Sequence, residues 1–221
     1  MKFMRTNDWK SREKAKVLVI GHDPTLQNSE ERAPFVLFAN YFFEDKPKKY
    51  PELQKFKLAK STFDQITEVT NGIIKPEEIY VTNLCNVPLL RAPKGKTVFI
   101  PEIKAIEGLK NIQTILNENP TIEYIFPMSL QVNYWLQKLD FYNSKTDFVI
   151  ETEPKAKGIK NENPYFEPKK TKTFLKICGN QYKTKNGNQI IIPILHSKNY
   201  PIKGNFTAYK EKYENIKNYF K

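Results

Sequence analysis

Four short apolar runs most constrain what this chain can fold into. They are Val17-Leu18-Val19-Ile20, Ile79-Tyr80-Val81, Tyr124-Ile125-Phe126 and Ile190-Ile191-Ile192-Pro193-Ile194-Leu195. Each is compact, rich in β-branched or aromatic residues, and free of strict polar alternation. Strands covered on both faces read this way. Pro193 inside the last run predicts less regular pairing there, near an edge. Helical spacings fill the intervals. Leu53, Phe56, Phe63, Ile66 and Val69 fall between the first two runs, and Ile106, Leu109, Ile112 and Leu116 before the third. Ser129 is placed to cap a helix carrying Val132, Trp135, Leu136 and Leu139. A last helix from about Thr207 carries Tyr209, Tyr213, Ile216 and Phe220. Strands alternating with helices predict an α/β fold with a mainly parallel sheet.

At 221 residues the chain fits one domain, residues 1–221. One stretch, residues 144–188, breaks the rhythm. It is polar and rich in Lys, Asn and Pro, with Phe148-Val149-Ile150 and Phe174-Leu175-Lys176-Ile177 as strand candidates. Asn186-Gly187 is a hairpin-turn signal. The stretch reads as an insertion, either a functional arm or a tolerated surface loop. No apolar run approaches a membrane span, and residues 1–16 hold no apolar signal segment. Two cysteines, Cys85 and Cys178, are too few for a disulfide framework, a four-thiolate zinc site or an iron–sulfur cluster. A reduced cytoplasmic protein without cofactor or metal is expected, with a monomer as the simplest state.

The net charge is +12, and it is uneven. Residues 144–221 hold 16 basic and 7 acidic side chains, a net of +9; the first 143 hold 20 and 17. A basic half points to a polyanion partner such as DNA. Coding bias is the alternative source, since only four basic residues are Arg.

In a parallel α/β sheet, ligands bind beyond the carboxyl ends of the strands. Gly21-His22-Asp23-Pro24-Thr25 follows the first run, Thr82-Asn83 the second, Pro127-Met128-Ser129 the third, and His196-Ser197 the fourth. Both histidines of the chain fall at these points. A metal site from His22, Asp23 and His196 lacks an i,i+4 His pair. A Ser197 nucleophile lacks a Gly-x-Ser-x-Gly elbow. A phosphate loop lacks its glycines.

These motifs, taken in order, resemble the uracil-DNA glycosylase superfamily. The strand leading to Gly21-His22-Asp23-Pro24 is similar to its first motif, and Ala33-Pro34-Phe35 to a later Pro-Phe segment. Ile79 to Asn83 resembles the strand ending in a base-reading Asn, and Tyr124 to Pro127 with the Trp135 helix resembles the third strand and helix. Ile194-Leu195-His196-Ser197, with Gly204-Asn205-Phe206, resembles the His motif and the DNA-wedging loop. The resemblance implies a three-layer α/β/α domain with a central sheet of about four strands, DNA as partner, and no cofactor. It also implies roles. Asp23 would stabilise the cationic sugar and position water, and a neutral His196 would stabilise the leaving base anion. Asn83 would pair with uracil N3–H and O4. Phe35 would stack on the base, although its apolar neighbours Val36, Leu37 and Phe38 equally fit core packing. Gly21 and His22 would complete the base site. Ser197, Lys198, Tyr200, Ile202, Lys203 and Gly204 would contact DNA, with Tyr200 or Ile202 as wedge.

The sequence departs from the family pattern in three places. Thr25 stands where a Tyr commonly blocks thymine, Ser197 follows His196 without an intervening Pro, and His22 replaces the more usual residue. A catalytically silent relative that binds DNA or protein, or another hydrolase on an α/β scaffold, are the competing expectations.

Overall fold

The computed structural model describes residues 6–22, 35–43, 52–87, 89, 97–146, 165–166 and 173–221. Its centre is a five-stranded sheet. β1 (Val17–Gly21) pairs in parallel with β2 (Ile79–Asn83) on one side and with β4 (Tyr124–Pro127) on the other. β4 pairs in parallel with β7 (Ile190–Ile191), and β6 (Tyr182–Lys183) closes the far side antiparallel to β7. The order is β2-β1-β4-β7-β6. A separate ribbon pairs β3 (Thr97–Val98) antiparallel with β5 (Tyr165–Phe166). All four expected strands form. The fifth, β6, comes from the polar stretch and reaches β7 through the hairpin announced by Asn186-Gly187, where Gly187 N–H donates to Thr184 C=O at 2.8 Å.

The strands are apolar on both sides because each face is covered. Val17, Val19, Ile79, Val81 and Phe126 pack with Phe63, Ile66 and Val69 of α1 (Glu52–Val69) and with Tyr213 and Ile216 of α5 (Lys210–Tyr219). The alternate residues Leu18, Ile20, Tyr80 and Ile125 pack with Ala105, Ile112 and Leu116 of α2 (Glu102–Glu118) and with Val132, Trp135 and Leu136 of α3 (Leu130–Lys138). This is a helix layer on each face of a mostly parallel sheet. Gly108 lets α2 approach: a Cβ there would lie 1.8 Å from Leu84 C=O, just past β2. Among the described residues, no helix is long and apolar enough to cross a membrane.

Several expectations change. Phe174–Ile177 is a helix, α4 (Thr173–Ile177), and not a strand. Four apolar-rich residues fit either state, and tertiary packing decides. Phe174, Ile177 and Cys178 are buried in the α1-side core. The end of the 144–188 stretch is thus core, and its β5 is tied to β3. Phe148–Ile150 lies outside the described residues. Pro193 follows β7, which is interior at Ile190–Ile191. Ile192 and Ile194 N–H donate to the Ile125 and Pro127 C=O groups of β4, whereas Pro193 falls on the opposite side, where β6 has ended. The local edge it requires is therefore present.

Both outer edges of the sheet are guarded. Trp9 exchanges two backbone hydrogen bonds with Val81 at 2.9 Å each, covering β2. At the other side, β6 is two residues long and carries the exposed Lys183. Short and lysine-bearing edges resist pairing with other chains.

Candidate functional site

The register aligns the carboxyl ends of the strands. Gly21 lies beside Asn83, and Met128 bridges Ile194 in the continuation of β4 and β7. The chain crosses from β2 past β1 to β4, so the crevice between β1 and β4 is where the strand order reverses, the position that favours ligand binding.

Asn83 is 1% exposed, and its Oδ1 is buried without a hydrogen-bond partner. The amide lies over Gly21. A Cβ on Gly21 would fall 2.2 Å from Asn83 Oδ1 and 3.5 Å from Leu37 Cγ. Glycine is required here by contact. Leu37 and the next residue, Phe38, both adopt left-handed backbone, with φ of 51° and 53°. Such conformations cost non-glycine residues of order 1–3 kcal/mol each and cluster at functional sites. Ser129, at the end of β4, has φ 81° and ψ 162°, a region almost confined to glycine, and its buried Oγ has no partner. It stands at the N-cap of α3 as expected but makes no side-chain cap.

An extended segment beside β2 supports this wall. Asp8 Oδ1 accepts from Thr82 Oγ1 at 2.7 Å and from Asn86 Nδ2 at 2.8 Å, and its Oδ2 accepts from Asn111 Nδ2 at 3.1 Å. Thr6 N–H donates to Asn86 C=O at 2.9 Å. One carboxylate thus ties the N-terminal segment, the end of β2 and α2 together.

His196 follows β7 and is half-buried. Its Nδ1 accepts from Lys198 N–H at 3.1 Å. A nitrogen that accepts carries no proton, so the neutral ring bears its hydrogen on Nε2. The segment is pinned to α1 and α5. Thr62 donates to Ser197 Oγ at 2.9 Å, Gln65 Nε2 donates to Leu195 C=O at 2.9 Å, and Leu195 N–H donates to Tyr213 Oη at 3.1 Å. Burial holds the Tyr213 phenol well above its ordinary range, so it stays a neutral hydroxyl.

The structure brings Gly21 and Asn83 together and places His196 on the α1 side of the same sheet edge. Asp23 and Thr25 are outside the described residues. Phe35 pairs with Asn7 on the outer side of the N-terminal segment and sets its ring edge-on to Trp9 at 5.4 Å. There it lines an open cavity of about 430 Å³ with Asn7, Asp8, Trp9, Lys10 and Tyr80. Its apolar run is drawn to aromatic packing, and Leu37 takes the place beside Gly21. Ser197 is fully buried against Thr62, so it anchors the segment and does not reach a phosphate. Tyr200 stacks with Tyr213 at 6.3 Å and its hydroxyl donates to Glu68, while Ile202 packs on the α1-side core. Neither stands out as a wedge. Lys198, Lys203 and Gly204 are exposed and remain available to a phosphate backbone.

Reasoning from the sequence missed Asp8, Leu37 and Gln131. The amide of Gln131 is 1% exposed and meets His22, Val98 and Ile100. A lone Gln inside the apolar start of α3 was the available signal. No group of three or more His, Cys, Asp or Glu among the described residues is placed to hold a metal. Burial pushes the Cys178 thiol far above its usual range, which makes it unreactive. Compared with known proteins, the chain matches no protein-family model and no curated sequence.

Proposed function

We propose that the protein is a DNA base glycosylase of the uracil-DNA glycosylase type, removing uracil or a related deaminated base by hydrolysis of its bond to the sugar. The unpaired Oδ1 of Asn83 carries this reading. Leaving a buried acceptor unsatisfied costs about 1–3 kcal/mol. A planar base offering N–H beside C=O relieves that cost, as uracil does at N3 and O4. Cytosine lacks the N3–H, so the same amide discriminates against it.

Three further features support the reading. The mostly parallel sheet with a helix layer on each face is compatible with the α/β/α domain that the resemblance implies. The tautomer of His196 supplies an N–H donor from a neutral ring, suited to a developing base oxyanion. Exposed Lys198 and Lys203 follow it and suit a phosphate backbone. Asp23 retains its proposed role at the sugar.

The deciding experiment incubates the protein with oligonucleotides carrying single uracil, hypoxanthine or mismatched thymine and tests for abasic sites. Release of uracil, lost in Asn83→Ala, is expected. Binding should also weaken as salt rises, because the basic half displaces counterions. Salt-sensitive binding without release of any base would favour the silent relative instead.

A further inference from the structure

The imidazole of His22 turns across the crevice between β1 and β4 to Gln131, in the first turn of α3. Gln131 has no freedom to choose its role. Its Oε1 accepts from Ile100 N–H, and its Nε2 donates to Val98 C=O at 3.0 Å. Two backbone groups therefore fix which end of the amide faces the ring. The end that meets His22 Nε2 is the amide nitrogen, a donor. His22 Nε2 must accept, so the neutral ring carries its proton on Nδ1. His196 is held the opposite way, with Nδ1 accepting and the proton on Nε2.

We propose that Gln131 is a positioning residue that locks His22 as the neutral Nδ1–H tautomer across the β1–β4 crevice and thereby fixes the backbone at His22, directly after Gly21. The functional half of this assignment rests on the glycosylase reading; the tautomer does not. A proton on Nε2 of His22 would set N–H against N–H, so the clamp selects the Nδ1–H tautomer. The same amide holds β3, and β3 pairs with β5 of the polar stretch. Gln131 thus joins the first strand's turn to the ribbon that the polar stretch completes.

The test uses two-bond hydrogen–nitrogen correlation spectra of the imidazoles in the full-length protein at about pH 8. With two histidines in the chain, His196→Ala assigns the remaining signals to His22. The wild type should show His22 protonated at Nδ1 and His196 at Nε2. Gln131→Glu replaces the donor with an acceptor and should move the His22 proton to Nε2. A purely space-filling Gln131 would not do this. His22 protonated at Nε2 in the wild type, or the same His22 tautomer in Gln131→Glu as in the wild type, overturns the assignment. If Gln131→Glu does not fold, the wild-type spectrum decides alone. On a uracil oligonucleotide, Gln131→Glu should slow single-turnover release at least about tenfold with DNA affinity within about twofold, as expected when a reacting group is misplaced. An unchanged rate beside an inverted tautomer overturns the positioning role. A wild type that releases no base overturns the glycosylase reading, and the spectra then judge the tautomer by themselves.

Discussion

His22 and His196 both leave a parallel strand at its carboxyl end, yet the molecule holds them by opposite means. His22 is gripped by a side chain 109 residues away, which is itself oriented by two backbone groups of a third segment. His196 is gripped by the backbone two residues on, over a short helical turn. The same contrast runs through the two flanks of the edge. The Asn83 wall is assembled by Asp8, Thr82, Asn86 and Asn111, drawn from three distant parts of the chain. The His196 turn shapes itself locally and is then anchored through Ser197 to α1. A tertiary clamp exists only in the finished fold, whereas a local one accompanies its segment. On the proposed glycosylase reading, the first suits a wall that must reject wrong ligands, and the second suits a donor that must be correctly protonated.

The contrast can be broken in order of expected effect. Replacing His196 with Ala should slow single-turnover release of uracil on the order of a hundredfold, about 3 kcal/mol, with little loss of DNA affinity. On the proposed mechanism the donor would matter chiefly as the base becomes anionic. An equal loss in affinity and rate would instead make His196 a binding group.

Next comes the wall. Asp8→Ala leaves Thr82, Asn86 and Asn111 without their common acceptor and should cost about 2–3 kcal/mol, read as a lower urea midpoint. Ser197→Ala removes one hydroxyl pair and should cost about 1 kcal/mol. If the two variants were equally stable, the wall would be no more dependent on tertiary contacts than the turn.

The smallest effect concerns acid. Burial pushes the Glu78 carboxyl up, but Lys16 Nζ at 2.6 Å and the Lys75 backbone N–H outweigh it, leaving Glu78 below its ordinary range. The stability this gives is present above the unfolded pKa and is lost as pH falls through the lower folded value. Glu78→Gln should therefore reduce the urea midpoint at neutral pH, and the difference should shrink on acidification below about pH 4. A gap that persists in acid would assign the effect to packing.

How much of this was legible beforehand follows from the same division. The four strands could be read because strands covered on both faces must be apolar throughout, and their order along the chain placed Gly21, Asn83 and His196 at one sheet edge. Asp8 and Gln131 could not be read. A polar residue that serves three partners has no periodicity, and its partners are known only once the chain is folded. The packing of Phe35 on Trp9 could not be read because an aromatic in an apolar run can stack on a ligand or on another ring, and spacing does not distinguish them. The helix over Phe174–Ile177 was missed because so short a run carries no period.

The pairing of Trp9 with Val81 also has a consequence for how the chain is made. Trp9 is synthesised about seventy residues before the strand it will cover. At elongation rates of roughly 5–20 residues per second, the cover therefore precedes the exposed edge by several seconds. When β2 emerges, its protective partner is already outside and tethered to the same chain, where it competes with neighbouring nascent chains at the high effective concentration of an intramolecular partner. The opposite edge, β6, is made before β7 and is its near neighbour in sequence, so the hairpin can close as soon as both are present. On each side, the covering segment is made before the strand it covers: Trp9 before β2, and β6 before β7.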